Sequence, residues 1–208
     1  IVDSQAVSRP AEAEPIGAIQ ESAELLLKIN RLDLAEWAYR KALSESPGAR
    51  SRIELLHGLA AVQFQQKGDE DLAGYRKAHG SFRQAAAVED QDRALGALSE
   101  LGLCYTAWHV WVYGGKPAGG LTNAVASCTR ALKISPRDEI SAEICEVLAS
   151  AYLDSGDKKL GIFNLKKALA HLKVAHRNAK GKHGSVLDYE ITRIKKRLNR
   201  ANAHSPLK

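Results

Sequence analysis

Methionine is absent from all 208 residues, there are only six prolines, and aromatic residues make up 6 % of the chain. Few prolines mean few obligatory breaks, and an Ala- and Leu-rich remainder favours helix. No long alternating run of Val, Thr and Tyr occurs, so a strand-built domain is excluded. The chain starts at Ile1 without any Met, so we expect a processed or trimmed chain, with room for a removed targeting segment. No apolar run opens it. The longest apolar stretch, Ala94–Tyr113, carries Glu100 and His109 and reads as a buried helix, not a membrane span.

The cysteines are few and poorly placed for chemistry. Cys104, Cys128 and Cys145 form no Cys-x2-Cys pair, which excludes a structural zinc site. Each stands where a small buried residue is wanted, so all three read as packing atoms. Such usage fits a reducing compartment and favours an intracellular setting, cytosol or organelle matrix.

Catalytic patterns are missing as well. Neither Gly-x-Ser-x-Gly nor Gly-x-Gly-x2-Gly occurs. Gly114-Gly115-Lys116 is followed by Pro117, which has no N–H to offer a phosphate, so it reads as a loop. Seven histidines form neither a His-x3-His pair nor a His-Glu-x2-His. Paired acids such as Glu89-Asp90 sit at helix ends, where they cap and solvate. We therefore expect no enzyme, cofactor, metal or small-molecule substrate.

What is present is a repeat. Ala35-x3-Tyr39-x2-Ala42-x4-Pro47 recurs as Ala78-x3-Phe82-x2-Ala85-x4-Asp90, then as Ala124-x3-Cys128-x2-Ala131-x4-Pro136. A weaker copy is Gly161-x3-Leu165-x2-Ala168-x4-Lys173. Self-similarity over tens of residues signals stacked supersecondary units. Residues 1–15 lack apolar periodicity and read as a flexible leader. Helical hairpins are expected over 16–44, 51–88, 92–136 and 141–179, with turns at Asn30-Arg31, Gly68-Asp69, 114–120 and Ser155-Gly156-Asp157. Ser51 with Glu54, and Ser185 with Asp188, suggest capping boxes. Beyond a loop at 179–184, Ser185–Asn202 carries one apolar stripe, Leu187, Ile191, Ile194 and Leu198, as a terminal capping helix requires. The domain reading is a leader (1–15), a solenoid (16–179) and a basic capping helix with tail (180–208).

The first helices of the hairpins repeat too. Leu98-x2-Leu101-Gly102-x2-Tyr105 is followed in quality by Cys145-x2-Leu148-Ala149-x2-Tyr152, His57-x2-Ala60-Ala61-x2-Phe64 and Ile19-x2-Ser22-Ala23-x2-Leu26. With the second-helix motif, this pattern resembles the tetratricopeptide repeat family, a helix–turn–helix of about 34 residues, over residues 16–173. The resemblance implies an all-α superhelix of four hairpins, the middle two stretched by insertions. It also implies a concave groove, lined by the first helices, that takes a partner's peptide or helix. The branch that clamps a C-terminal carboxylate with Lys, Asn and Arg is a poor fit, because 94–115 has no Lys or Arg and 16–30 has only Lys28.

Two clusters are candidate contact sites. Trp108, Trp111 and Tyr113, with Tyr105 of the repeat motif, close the third inner helix beside the Gly-rich loop; they are either a partner-binding edge or packing beneath that loop. The second cluster follows from a charge split. The net +6 divides into +12 from Lys158 onward and −6 before it. Its dense part is Arg193, Lys195, Lys196, Arg197 and Arg200, placed on the outer face of the last helix. That cluster suits RNA phosphates, an acidic subunit or lipid headgroups, or else solvates the cap. The leading expectation is a scaffold or adaptor subunit. The other is a structural subunit of a ribonucleoprotein or organellar complex, held through its basic C-terminal helix to RNA or an acidic partner.

Overall fold

A computed structural model describes residues 16–45, 47–66, 72–89, 92–117, 120–135, 138–178 and 184–203. The expected leader and the turns at Gly68-Asp69 and 179–183 lie outside the described residues. Among those described, nine α-helices and no strands occur: α1 (Ile16–Lys28), α2 (Leu32–Ser44), α3 (Ala49–Gln65), α4 (Leu72–Ala86), α5 (Arg93–Tyr113), α6 (Gly120–Ile134), α7 (Asp138–Asp154), α8 (Lys158–Asn178) and α9 (Gly184–Ala203).

Local chemistry accounts for several boundaries. Asn30, with a φ of 59°, ends α1 in a Schellman motif: Arg31 N–H donates to the Leu26 carbonyl (2.8 Å) and Asn30 N–H to that of Leu27 (3.1 Å). Gly156, at a φ of 86°, does the same for α7, donating to Leu153 while Asp157 donates to Tyr152. Asp157 then caps α8 through its carboxylate, which accepts from Leu160 N–H at 3.0 Å. Asp92 caps α5 likewise, accepting from Leu95 N–H at 2.8 Å. The expected Ser51 cap is corrected: α3 starts at Ala49, behind Gly48, without a side-chain cap bond. Helix α7 begins at Asp138, three residues earlier than expected, with Asp138 and Glu139 complementing its positive N-terminal end. The side chain of Ser185 lies outside the described residues.

Each helix packs on its chain neighbours, giving the hairpins α1–α2, α3–α4, α5–α6 and α7–α8, with α9 laid on α8. The next-but-one contacts are α1–α3, α3–α5 and α5–α7, all between odd-numbered helices. The stack therefore curves with the odd helices inside. This is an all-α, solenoid-like architecture.

The repeat motif is the seam of that stack. Ala35, Tyr39, Ala42, Ala78, Ala85, Ala124, Cys128, Ala131, Leu165 and Ala168 are all buried to 2 % exposure or less. The large residue of one hairpin packs on a glycine of the next. A Cβ added at Gly58 would clash with the edge of the Tyr39 ring, and one added at Gly102 with that of Phe82. Glycine here permits close helix approach, not an unusual backbone. One cysteine reading is corrected. Cys104 and Cys128 are joined as a disulfide between α5 and α6, and Cys145 alone is a buried free thiol, its pKa pushed up to about 11 by burial. Cysteine usage thus no longer argues for a reducing compartment. Among the described residues no helix is long and apolar enough to cross a membrane.

Candidate functional site

The inner face carries two adjoining cavities. The first, about 480 Å³, lies between α3, α4 and α5 and is lined by His57, Phe64, Phe82, Leu98 and Leu101, among others. The second, about 620 Å³, lies between α5, α7 and α9, with Leu172 of α8 at its wall. Tyr105 and Glu143 belong to both walls, so the cavities form one groove across three hairpins.

Helical spacing builds the aromatic part. Residues 105, 108, 109 and 113 of α5 share one face. His109 stacks on Tyr75 of α4 (centroids 4.5 Å apart, planes within 10°) and on Tyr113 (5.7 Å, 7°). It also meets Tyr105 edge-on at 4.4 Å and Trp108 at 4.4 Å, while Phe64 of α3 meets Tyr75 and Tyr105. Enclosure among these groups raises the pKa of the Tyr105 phenol, with Tyr113, Glu143 and Glu146 adding to it. Tyr75 is not singled out in the sequence; Phe64 reads there only as a repeat-motif residue and His109 only as a polar break in an apolar stretch, although the spacing on α5 is available as a signal for His109.

The four aromatic candidates separate by role. Tyr105 and Trp108 line the groove. The Trp108 indole N–H donates to the Asp154 carboxylate at 2.9 Å, tying the end of α5 to that of α7. Tyr113 is 41 % exposed at the edge of the ring cluster. Trp111 is 7 % exposed and packs where a Cβ at Gly120 would meet it, so its surroundings are those of a packing residue. The described residues just beyond it are tied down: Gly115 has a φ of 80°, Lys116 N–H donates to the Trp111 carbonyl at 2.8 Å, and Lys116 Nζ donates to the Asp154 carbonyl at 2.9 Å.

The basic candidates also divide, and their common placement on the outer face is corrected. Arg193 and Arg197 turn inward to line the larger cavity. Both donate to Glu146 of α7, and Arg197 donates further to Ser150 at 2.8 Å. Arg193 also pairs with Glu190, and these carboxylates raise its pKa although burial opposes them. Because α7 and α9 share no close backbone contact, these side chains bridge the groove. Lys195, Lys196 and Arg200 are exposed.

Glu143 is different. It is open to the groove's water, yet enclosing walls, Glu146 and Glu190 raise its pKa, with Arg193 only partly offsetting them. No ion pair to it forms among the described residues. Burial lowers the pKa of two histidines packed against α5: His57 of α3 meets the Ser99 hydroxyl at 2.8 Å, and His79 of α4 meets that of Thr106 at 2.9 Å. Among the described residues, no group of His, Cys, Asp and Glu is placed to hold a metal ion. Comparison with protein-family models and with curated proteins finds no match.

Proposed function

We propose that this protein is a non-catalytic scaffold or adaptor of the tetratricopeptide type that takes a partner's peptide or helix in its inner groove. One observation carries this reading: the groove is continuous across α3, α5 and α7 and lined by aromatic and aliphatic side chains that remain accessible. Tyr105, Trp108 and Leu98 supply the contact edge, with Tyr113 beside them. Aromatic groups in such concave, partly desolvated settings dominate binding energy at interfaces. Trp111 acts beneath this surface as packing against Lys116 and Gly120.

A second reading rests on a different observation. Lys195, Lys196 and Arg200 on α9, with Lys166, Lys167, Lys173 and Arg177 on α8, are exposed. They would hold RNA or an acidic subunit, making the protein a structural member of a larger complex. Affinity capture with mass spectrometry, with and without nuclease, separates the two. The scaffold reading expects partners that survive nuclease and high salt and are lost with Leu98→Ser. Loss on nuclease treatment or on neutralising Lys195, Lys196 and Arg200, with Leu98→Ser silent, supports the second reading and overturns the first.

A further inference from the structure

The two cavities differ in character. The smaller has aromatic and aliphatic walls with one carboxylate, Glu143, at its border. The larger brings four carboxylates together, Glu139, Glu143, Glu146 and Glu190, against two guanidinium groups, Arg193 and Arg197. Those guanidinium groups are already committed: Glu146 accepts from both, and Glu190 pairs with Arg193. Glu139 and Glu143 have no such partner among the described residues. The groove thus offers uncompensated negative charge beside aromatic faces, although the C-terminal part of the chain is strongly basic.

We propose that the groove recognises a basic segment of a partner protein, whose Lys or Arg side chain lies against Tyr105 and is held by Glu143 while flanking apolar side chains fill the cavity lined by His57, Phe64, Leu98 and Leu101. This rests on the scaffold reading above and names the chemistry of its ligand. Charge complementarity and the tyrosine face both favour a cation at that point. A carboxylate whose charged form is disfavoured by its surroundings gains when a cation arrives, which fits the raised pKa of Glu143. An anionic strand would instead meet Glu139 and Glu143 with the arginines already neutralised. Arg193, Arg197 and Glu146 close the α9 side of the groove and limit how far an occupant extends.

The test is selection of random phage-displayed peptides on the full chain, then fluorescence anisotropy with the enriched sequences as synthetic peptides. Enrichment should place Lys or Arg next to apolar residues. Glu143→Gln, nearly isosteric and at an exposed position, should weaken these peptides about five- to tenfold, and changing the peptide's basic residue to Gln should then cost little more. Enriched peptides that lack basic residues, or that ignore Glu143→Gln, but are lost on Leu98→Ser, would overturn the cationic ligand and leave the groove standing. Peptides indifferent to Leu98→Ser, or no enrichment at all, would overturn both.

Discussion

Gly80 and Gly102 lie within helices α4 and α5, and the same change to Ala at each should have opposite consequences. In a helix interior, Ala is favoured over Gly by about 1 kcal/mol at either position. At Gly80 nothing stands within 4 Å of an added Cβ, so the gain is kept and Gly80→Ala should stabilise the fold by up to about 1 kcal/mol. At Gly102 the new methyl clashes with the Phe82 ring, on the seam where α4 meets α5. Overpacking of this kind costs about 1–3 kcal/mol. Because the helix term is common to both variants, the difference between them isolates the packing cost, about 1–3 kcal/mol. Urea unfolding followed by far-ultraviolet circular dichroism measures it. Phe82→Leu in the Gly102→Ala background should recover most of the loss, since the two positions share one contact. If the two alanine variants were equally stable, the close approach of α4 and α5 would be wrong, and with it the role given to small residues in the repeat.

The other expectations concern bonds that close or pin the stack. Reducing the Cys104–Cys128 disulfide, which spans 24 residues, should lower stability by about 3.5 kcal/mol on the chain-entropy account; melting with and without reductant checks this, and Cys145 should label only on unfolding. His57 and His79 have folded-state pKa values below the ordinary 6.5, owing to burial, with Glu54 opposing this at His57 and Arg83 adding to it at His79. Their contribution is therefore fully present above pH 6.5 and lost as pH falls through the folded values. Denaturation midpoints should drop over that acid window, and His57→Gln with His79→Gln should flatten the drop. Glu146→Gln removes the charge that Arg193 and Arg197 share across the groove; with both arginines partly exposed, we expect a loss of about 1–2 kcal/mol and faster amide exchange confined to α9.

Local pattern was enough to locate most of the helices. Asn30, Gly156 and Asp157 terminate or start helices by backbone and capping chemistry that acts within a few residues, and the buried alanines of the motif mark the seam through simple periodicity. The start of α7 was missed because Ser141 resembles a cap, whereas Asp138 begins the helix and is also bound at 2.9 Å by His171 of α8. That contact depends on the neighbouring helix and leaves no local trace.

The sequence by itself determined that this chain is helical, that it turns at Asn30-Arg31 and at Ser155-Gly156-Asp157, and that small residues recur where helices meet. These are short-range matters of propensity, period and turn chemistry. Only the tertiary structure decided that Cys104 bonds to Cys128, that Trp111 is packing, and that Arg193 and Arg197 turn toward Glu146, about fifty residues away in sequence. It also decided that a chain with a basic end holds an acidic, aromatic groove. The reason is the curvature of the stack, which sums many small helix-to-helix offsets and brings distant side chains together in ways no local pattern encodes.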